Sequence, residues 1–176
     1  MSVSPETLTA LLRDYVESFE AQGFERVVVL PGHGGWFPVV DAAFPELARE
    51  TDVHVVAVTG LRRFMELLEA GLREAGIEVD EPVSHAGASE TAMVLALAPE
   101  LVAEDLPEGY TDHVSAAALF AEGVETHAEN GVLGDARPAT AEAGETLLEF
   151  VADAHADYVR DEFAALRDAG SSGVEG

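Results

Sequence analysis

Two short apolar runs set the frame for any fold this chain can adopt. RVVVL (26–30) and VHVVAV (53–58) are dominated by valine and carry almost no polar side chains. β-Branched residues lose rotamer freedom in a helix and pack well on a pleated surface, so both runs read as strands. Their apolar character is continuous rather than alternating, which predicts strands covered on both faces, as in a parallel sheet. Between them, WFPVVDAAFPELARET (36–51) reads as a helix damaged by Pro38 and Pro45. Strand, helix and strand at this spacing form a βαβ unit, with parallel pairing and a right-handed crossover.

Helical stretches flank this unit. SPETLTALLRDYVESFEAQG (4–23) has Ser4 as a cap, Pro5 at the first helical position and Gly23 past the end. Its Leu8, Leu11, Leu12, Tyr15, Val16 and Phe19 recur at helical spacing and make one face apolar. RRFMELLEAGLREAG (62–76) is a second amphipathic helix, and IEVDEPVSHAGAS (77–89) reads as a connection. ETAMVLALAPELVAED (90–105) starts as an apolar helix that Pro99 kinks or ends. Residues 105–137 read as irregular, with a short helix near SAAALFAEG (115–123), and Thr140 opens a long helix. The expected organisation is one α/β domain over residues 1–170 and a frayed tail over 171–176.

Charge narrows the partners. There are 34 acidic residues against nine basic ones, all arginine, for a formal net charge of -25. Such a surface repels phosphate backbones and anionic membranes, so no nucleic-acid or membrane partner is expected. Salt at molar strength shrinks the Debye length to roughly 3 Å and relieves the self-repulsion. The simplest reading is a cytoplasmic protein of a salt-accumulating cell, and an acidic protein of an ordinary cytoplasm is the alternative. The absence of cysteine excludes disulfide and thiolate chemistry.

Two segments carry candidate chemistry. In LPGHGGWF (30–37), three glycines surround His33 at the carboxyl end of the first strand, where α/β sheets usually bind ligands. His33 reads either as a metal-binding or catalytic imidazole, or as a side chain that caps the next helix. In SHAGASET (84–91), His85 and Glu90 fall at the start of an apolar helix. They read as a pair aimed at one pocket, or as a capping arrangement with Ser89 as the cap and Glu90 in the first turn. His54, His113, His127 and His155 are weaker candidates.

Together these segments resemble the creatininase (creatinine amidohydrolase) family. PGHGGW (31–36) is similar to the family's NGHGGN motif, and HAGASETAMVLALAPELV (85–102) to its HAG-x-x-ETS helix. GVLGDARPATAEAGETLLEF (131–150) resembles a third family segment, and SVSPETL followed by GFERVVVL matches its register near the start. The resemblance implies an α/β three-layer sandwich with a mostly parallel sheet and helices on both faces. It implies a homo-oligomer that uses divalent metal (Zn, Mn or Fe) to hydrolyse a C–N amide bond in a small cyclic or formylated molecule. By resemblance His33 is a metal ligand, His85 a proton donor to the leaving nitrogen, and Glu90 a catalytic or metal-site carboxylate. Gly34, Gly35 and Trp36 would line the substrate side.

The chain also departs from the pattern. Pro31 and Trp36 stand where the NGHGGN motif has asparagines, and Gly35 stands where creatininase itself has a glutamate ligand. Nothing in residues 1–27 resembles the family's N-terminal Glu-x-His segment or the bridging aspartate that follows it. The expectation is therefore a family member without its N-terminal portion, whose two ligand candidates fall short of the about three that a catalytic metal takes. A noncatalytic family member acting as a ligand-binding or structural subunit is the alternative. A flavodoxin-like nucleotide binder fits the strand pattern but lacks a phosphate loop.

Overall fold

The structure is a computed structural model that describes residues 3–79, 85–112 and 114–172. The described residues fall into two compact units. One runs up to Leu61 and resumes at His155, and the other is Arg62–Ala154.

The first unit contains the βαβ element. Helix α1 (Pro5–Ala21) starts where the Ser4 hydroxyl accepts the Thr7 amide at 3.2 Å. It ends at Gly23, whose φ of 84° is a conformation glycine adopts without penalty. Strand β1 (Arg26–Val29) pairs in parallel with β2 (His54–Ala57), in register from Arg26 opposite His54 to Val29 opposite Ala57. Val16 of α1, Val53 and Val55 form the buried centre, with Val27, Val29, Phe44 and Ala48 packed around it. The fold class is thus α/β with a parallel sheet, as expected.

Two expectations need correction. Helix α2 (Phe37–Glu50) runs without interruption through both prolines. Pro38 lies in the first turn, where its missing N–H would have had no intrahelical partner. Pro45 lies inside and removes one backbone bond, a loss of about 3 kcal/mol. Phe37, Val40, Ala43 and Leu47 are buried on the same helix. Large apolar side chains contribute about 1.5–3 kcal/mol each when buried, so packing outweighs the proline. The second correction concerns β1, which is covered on one face only. Val27 and Val29 pack inward, whereas Val28 is 44% exposed and Leu30 is 55% exposed. Strand β2 does meet the expectation, with Val55, Val56 and Ala57 all buried.

The second unit holds most of α3 (Leu61–Glu74), then α4 (Ala88–Leu97), α5 (Ala116–Glu122), α6 (Val124–His127) and the first part of α7 (Ala141–Ser172). Leu68, Leu72, Ala88 and Leu147 form one buried cluster, and Ala92, Ala139 and Ala143 another. Helices α4 and α7 approach closely at Gly144, where an added Cβ would lie 1.9 Å from the Ala92 carbonyl oxygen. Helix α4 ends at Leu97, just before Pro99, and a short 3-10 turn follows. Helix α7 is capped by Thr140, whose hydroxyl accepts the Ala143 amide at 3.1 Å. It extends through Ser171 and Ser172, residues that the sequence reading assigns to a tail. The segment read as irregular contains two helices, α5 and α6, rather than one; the isolated bridges Glu108–Asp135 and Tyr110–Leu133 close it on itself, and His85–Leu133 ties it to the corner before α4.

Candidate functional site

In the first unit, β1 gives way at Leu30 to the Pro31–Gly35 corner, and a 3-10 turn over Gly34–Trp36 leads into α2. His33 is the cap of that turn. Its Nδ1 accepts the Gly35 amide at 3.1 Å. The approach is close: a Cβ at position 35 would sit 3.2 Å from Nδ1 and Cε1 of the His33 ring, which would have to shift by a few tenths of an ångström. Trp36 is 46% exposed, and its ring centroid lies 6.3 Å from that of His33. His33, Gly34, Gly35 and Trp36 therefore form one local group at the carboxyl end of β1.

The cap bond has a chemical consequence. A nitrogen that accepts an N–H must carry a lone pair, so neutral His33 holds its proton on Nε2. In that tautomer Nε2 is a donor and cannot ligate a cation. Ligation through Nε2 requires His33 to release the Gly35 amide. The helix-capping alternative for His33 is thus realised.

In the second unit, His85 occupies the opposite tautomer. Its Nδ1 lies 2.7 Å from the Gly131 carbonyl oxygen, an atom that can only accept. Nδ1 therefore carries the proton, and Nε2 of the neutral ring keeps its lone pair. The backbone of His85 is paired with Leu133 in both directions, at 3.1 and 2.9 Å. The half-buried His85 ring is held at its backbone and at one nitrogen, with the other nitrogen available for proton transfer.

The corner after His85 is strained and held. Ala86 has φ 53°, the one positive value at a non-glycine among the described residues. Left-handed backbone costs an L-residue about 1–2 kcal/mol. Two side chains from the first turn of α4 offset this. The Glu90 carboxylate accepts the Ala86 amide, and the Thr91 hydroxyl donates to the Ala86 carbonyl at 3.1 Å. A hydrogen bond to a charged group contributes roughly 1.5–3 kcal/mol, enough to sustain the strain. Ser89 is buried and Glu90 is exposed.

The histidines of lesser weight are distributed elsewhere. His54 opens β2 at an exposed position, His155 is half-buried in α7, and His127 lies with Nε2 3.1 Å from a Glu122 carboxylate oxygen. The 3.1 Å separation lacks hydrogen-bond alignment, since that buried nitrogen has no hydrogen-bond partner. His113 lies outside the described residues.

The sequence model of one family, described as creatininase, creatinine amidohydrolase, matches residues 1–159. This chain belongs to the creatininase family. A creatinine amidohydrolase of Pseudomonas putida is 29% identical over 174 residues, covering 92% of this chain and 65% of the relative. A solved manganese creatininase superimposes with a TM-score of 0.72 at 25% identity, covering 93% of this chain and 66% of that one. A mutant creatininase of Zn–Zn type gives 0.74 at 24% identity over the same shares. The chain thus spans slightly less than two thirds of the length of these creatininases.

The two solved creatininases are of Zn–Zn and Mn type, and a catalytic metal takes about three protein ligands. Among the described residues, no group of three or more His, Cys, Asp or Glu side chains could hold a metal ion. His33 presents Nε2–H, and Glu90 has one oxygen committed to the Ala86 amide. His33 belongs to the first unit, and His85 and Glu90 to the second. Within either unit, the described donors do not make up a metal site.

Several contributors were not singled out from sequence. The Gly131 carbonyl, Leu133 and Thr91 hold the His85 corner, and none is a titratable group. Gly131 and Gly134 have φ of 76° and 104°, and the two closely spaced glycines of GVLGD are the sequence signal for such a backbone.

Proposed function

We propose that this chain is a creatininase-family amidohydrolase component that cleaves a C–N amide bond in a small cyclic or formylated molecule, with His85 moving the proton. The observation that carries the reading is the Nδ1–H bond from His85 to Gly131, which leaves Nε2 as the basic nitrogen. In hydrolysis, water adds to the carbonyl carbon and loses a proton, the C–N bond breaks, and the nitrogen gains a proton. A neutral Nε2 can accept the first proton and return it to the departing nitrogen, so one imidazole serves both steps without net change. Nδ1–H bonded to a carbonyl also stabilises the imidazolium formed between them.

Trp36 and the glycine corner at Gly34 and Gly35 are proposed to accommodate a flat substrate. A divalent cation is proposed as cofactor, by analogy with the zinc and manganese creatininases. His33 and Glu90 are this chain's candidate contributions to it, and among the described residues they do not by themselves make a ligand set. A homo-oligomer in the cytoplasm belongs to the same reading. No helix among the described residues is long and apolar enough to cross a membrane.

A second reading, a noncatalytic family member that binds a ligand or supports an assembly, is favoured by that same shortage of ligands. The two separate in one experiment. The chain, purified in high salt with added Zn or Mn, is offered creatinine and a panel of small cyclic and formylated amides. Product release that falls on the order of 10²–10⁴-fold in His85→Ala supports the hydrolase. No release from any of them, by a folded chain, supports the noncatalytic subunit.

A further inference from the structure

We propose that Glu90 is a positioning residue: through the Ala86 amide, its carboxylate fixes the peptide plane beside His85 and so keeps the imidazole on the Gly131 carbonyl. The proposal deepens the reading of His85 as the proton-transfer group and takes its catalytic meaning from that reading.

The peptide between His85 and Ala86 is held at both ends. Its carbonyl accepts the Leu133 amide at 2.9 Å, and its N–H donates to a Glu90 oxygen. On the near side, the His85 amide donates to the Leu133 carbonyl at 3.1 Å. On the far side, the Ala86 carbonyl accepts the Thr91 hydroxyl at 3.1 Å. The two peptide planes that flank a Cα define the direction of its Cβ. Fixing the plane after His85 therefore aims the ring, which must reach Gly131, 46 residues away in sequence, at 2.7 Å.

Ordinary helix capping does not account for the arrangement. A glutamate three residues past the cap residue normally bonds the cap residue's own amide. Here Gly87 is the cap residue, and Glu90 reaches one residue further back, to the left-handed Ala86. Reach and acceptor geometry set the direction of this bond, and negative charge adds only to its strength. A side chain acting only on the helix dipole would show the reverse dependence.

The test reads the His85 ring directly. In ¹⁵N-labelled protein at high salt, at a pH where the ring is neutral, imidazole nitrogen shifts report which nitrogen carries the proton. Wild type is expected to show Nδ1–H. Glu90→Gln keeps an acceptor of the same length and is expected to keep that tautomer. Glu90→Asp keeps the charge at the helix start but falls short by one methylene, and is expected to shift the proton toward Nε2, the site favoured by a free imidazole. The proposal is overturned if Glu90→Asp retains Nδ1–H, or if Glu90→Gln loses it as fully as Glu90→Asp does. Should Glu90→Asp fail to fold, Glu90→Ala removes the acceptor outright, and a retained Nδ1–H there overturns the proposal equally. The tautomer is read without substrate, so absence of hydrolysis bears on the functional reading alone.

Discussion

The imidazole of His85 donates through Nδ1 to the carbonyl of Gly131 at 2.7 Å, and the two residues flank opposite ends of the segment that carries α4, α5 and α6. The bond links the HAG corner to the GVLGD stretch, and the antiparallel pairing of His85 with Leu133 reinforces it. Tyr110 pairs with the same residue from the other side, with its amide on the Val132 carbonyl at 2.9 Å and its carbonyl on the Gly134 amide at 2.8 Å. Three distant stretches of chain thus converge on the residues that hold one histidine.

Gly144→Ala tests the closeness of α4 and α7. Helix propensity alone would favour alanine by about 1 kcal/mol. The added Cβ, however, would fall 1.9 Å from the Ala92 carbonyl oxygen and 2.9 Å from the Ala96 Cβ, and a backbone carbonyl inside a helix yields little. We expect net destabilisation of roughly 1–3 kcal/mol, read as a lower midpoint in denaturant at fixed salt. A midpoint equal to or above wild type would contradict the packing described.

How much of this was legible in the sequence depends on the range of the forces involved. The βαβ frame, the Ser4 and Thr140 caps and the end of α4 before Pro99 are local, set by a few neighbouring residues, and they could be read directly. Pro45 could not, because its tolerance depends on what Phe37, Val40 and Leu47 bury. The open face of β1 could not, because a valine run states an affinity for cover and not whether cover is present. At the candidate site, His33, His85 and Glu90 are legible from their glycine-rich and small-residue surroundings and from motif resemblance. Their protonation states follow from backbone partners, the Gly35 amide and the Gly131 carbonyl, which the residue types do not name.

Asp135 makes the stability of this region dependent on pH. Arg137 forms a two-pronged pair with it, at 2.8 Å to Oδ1 and 2.7 Å to Oδ2, and also reaches Glu108 at 3.0 Å. The hydrogen bonds from the Arg137 side chain hold the Asp135 carboxyl below the usual carboxylate range. A carboxyl whose pKa is lower in the folded state stabilises fully above its unfolded pKa and loses that contribution as pH falls through the folded value. Asp135→Asn should therefore lower stability near neutral pH, and the gap to wild type should close as pH drops below the carboxylate range. Denaturant midpoints of both proteins across that range measure it, and a gap that widens in acid would contradict the assignment.

Salt should stabilise the chain. With a net charge of -25, repulsion among carboxylates is screened over about 10 Å at 0.1 M salt and about 3 Å at 1 M. The melting temperature is expected to rise steadily between these concentrations. The exposed pairs Arg13–Glu46 and Arg73–Glu69 would weaken over the same range, but surface pairs contribute only about 0–1 kcal/mol each and cannot reverse the trend. A melting temperature that falls with added salt would show that attraction, not repulsion, dominates this surface.

The most direct test of the central claim is the protonation pattern of the His85 imidazole in the unmodified chain, read by ¹⁵N NMR above the pKa of the ring. The account predicts a proton on Nδ1, shared with the Gly131 carbonyl, and a bare Nε2. A proton found on Nε2 instead would contradict it, because the nitrogen assigned to proton transfer would then have no lone pair to offer.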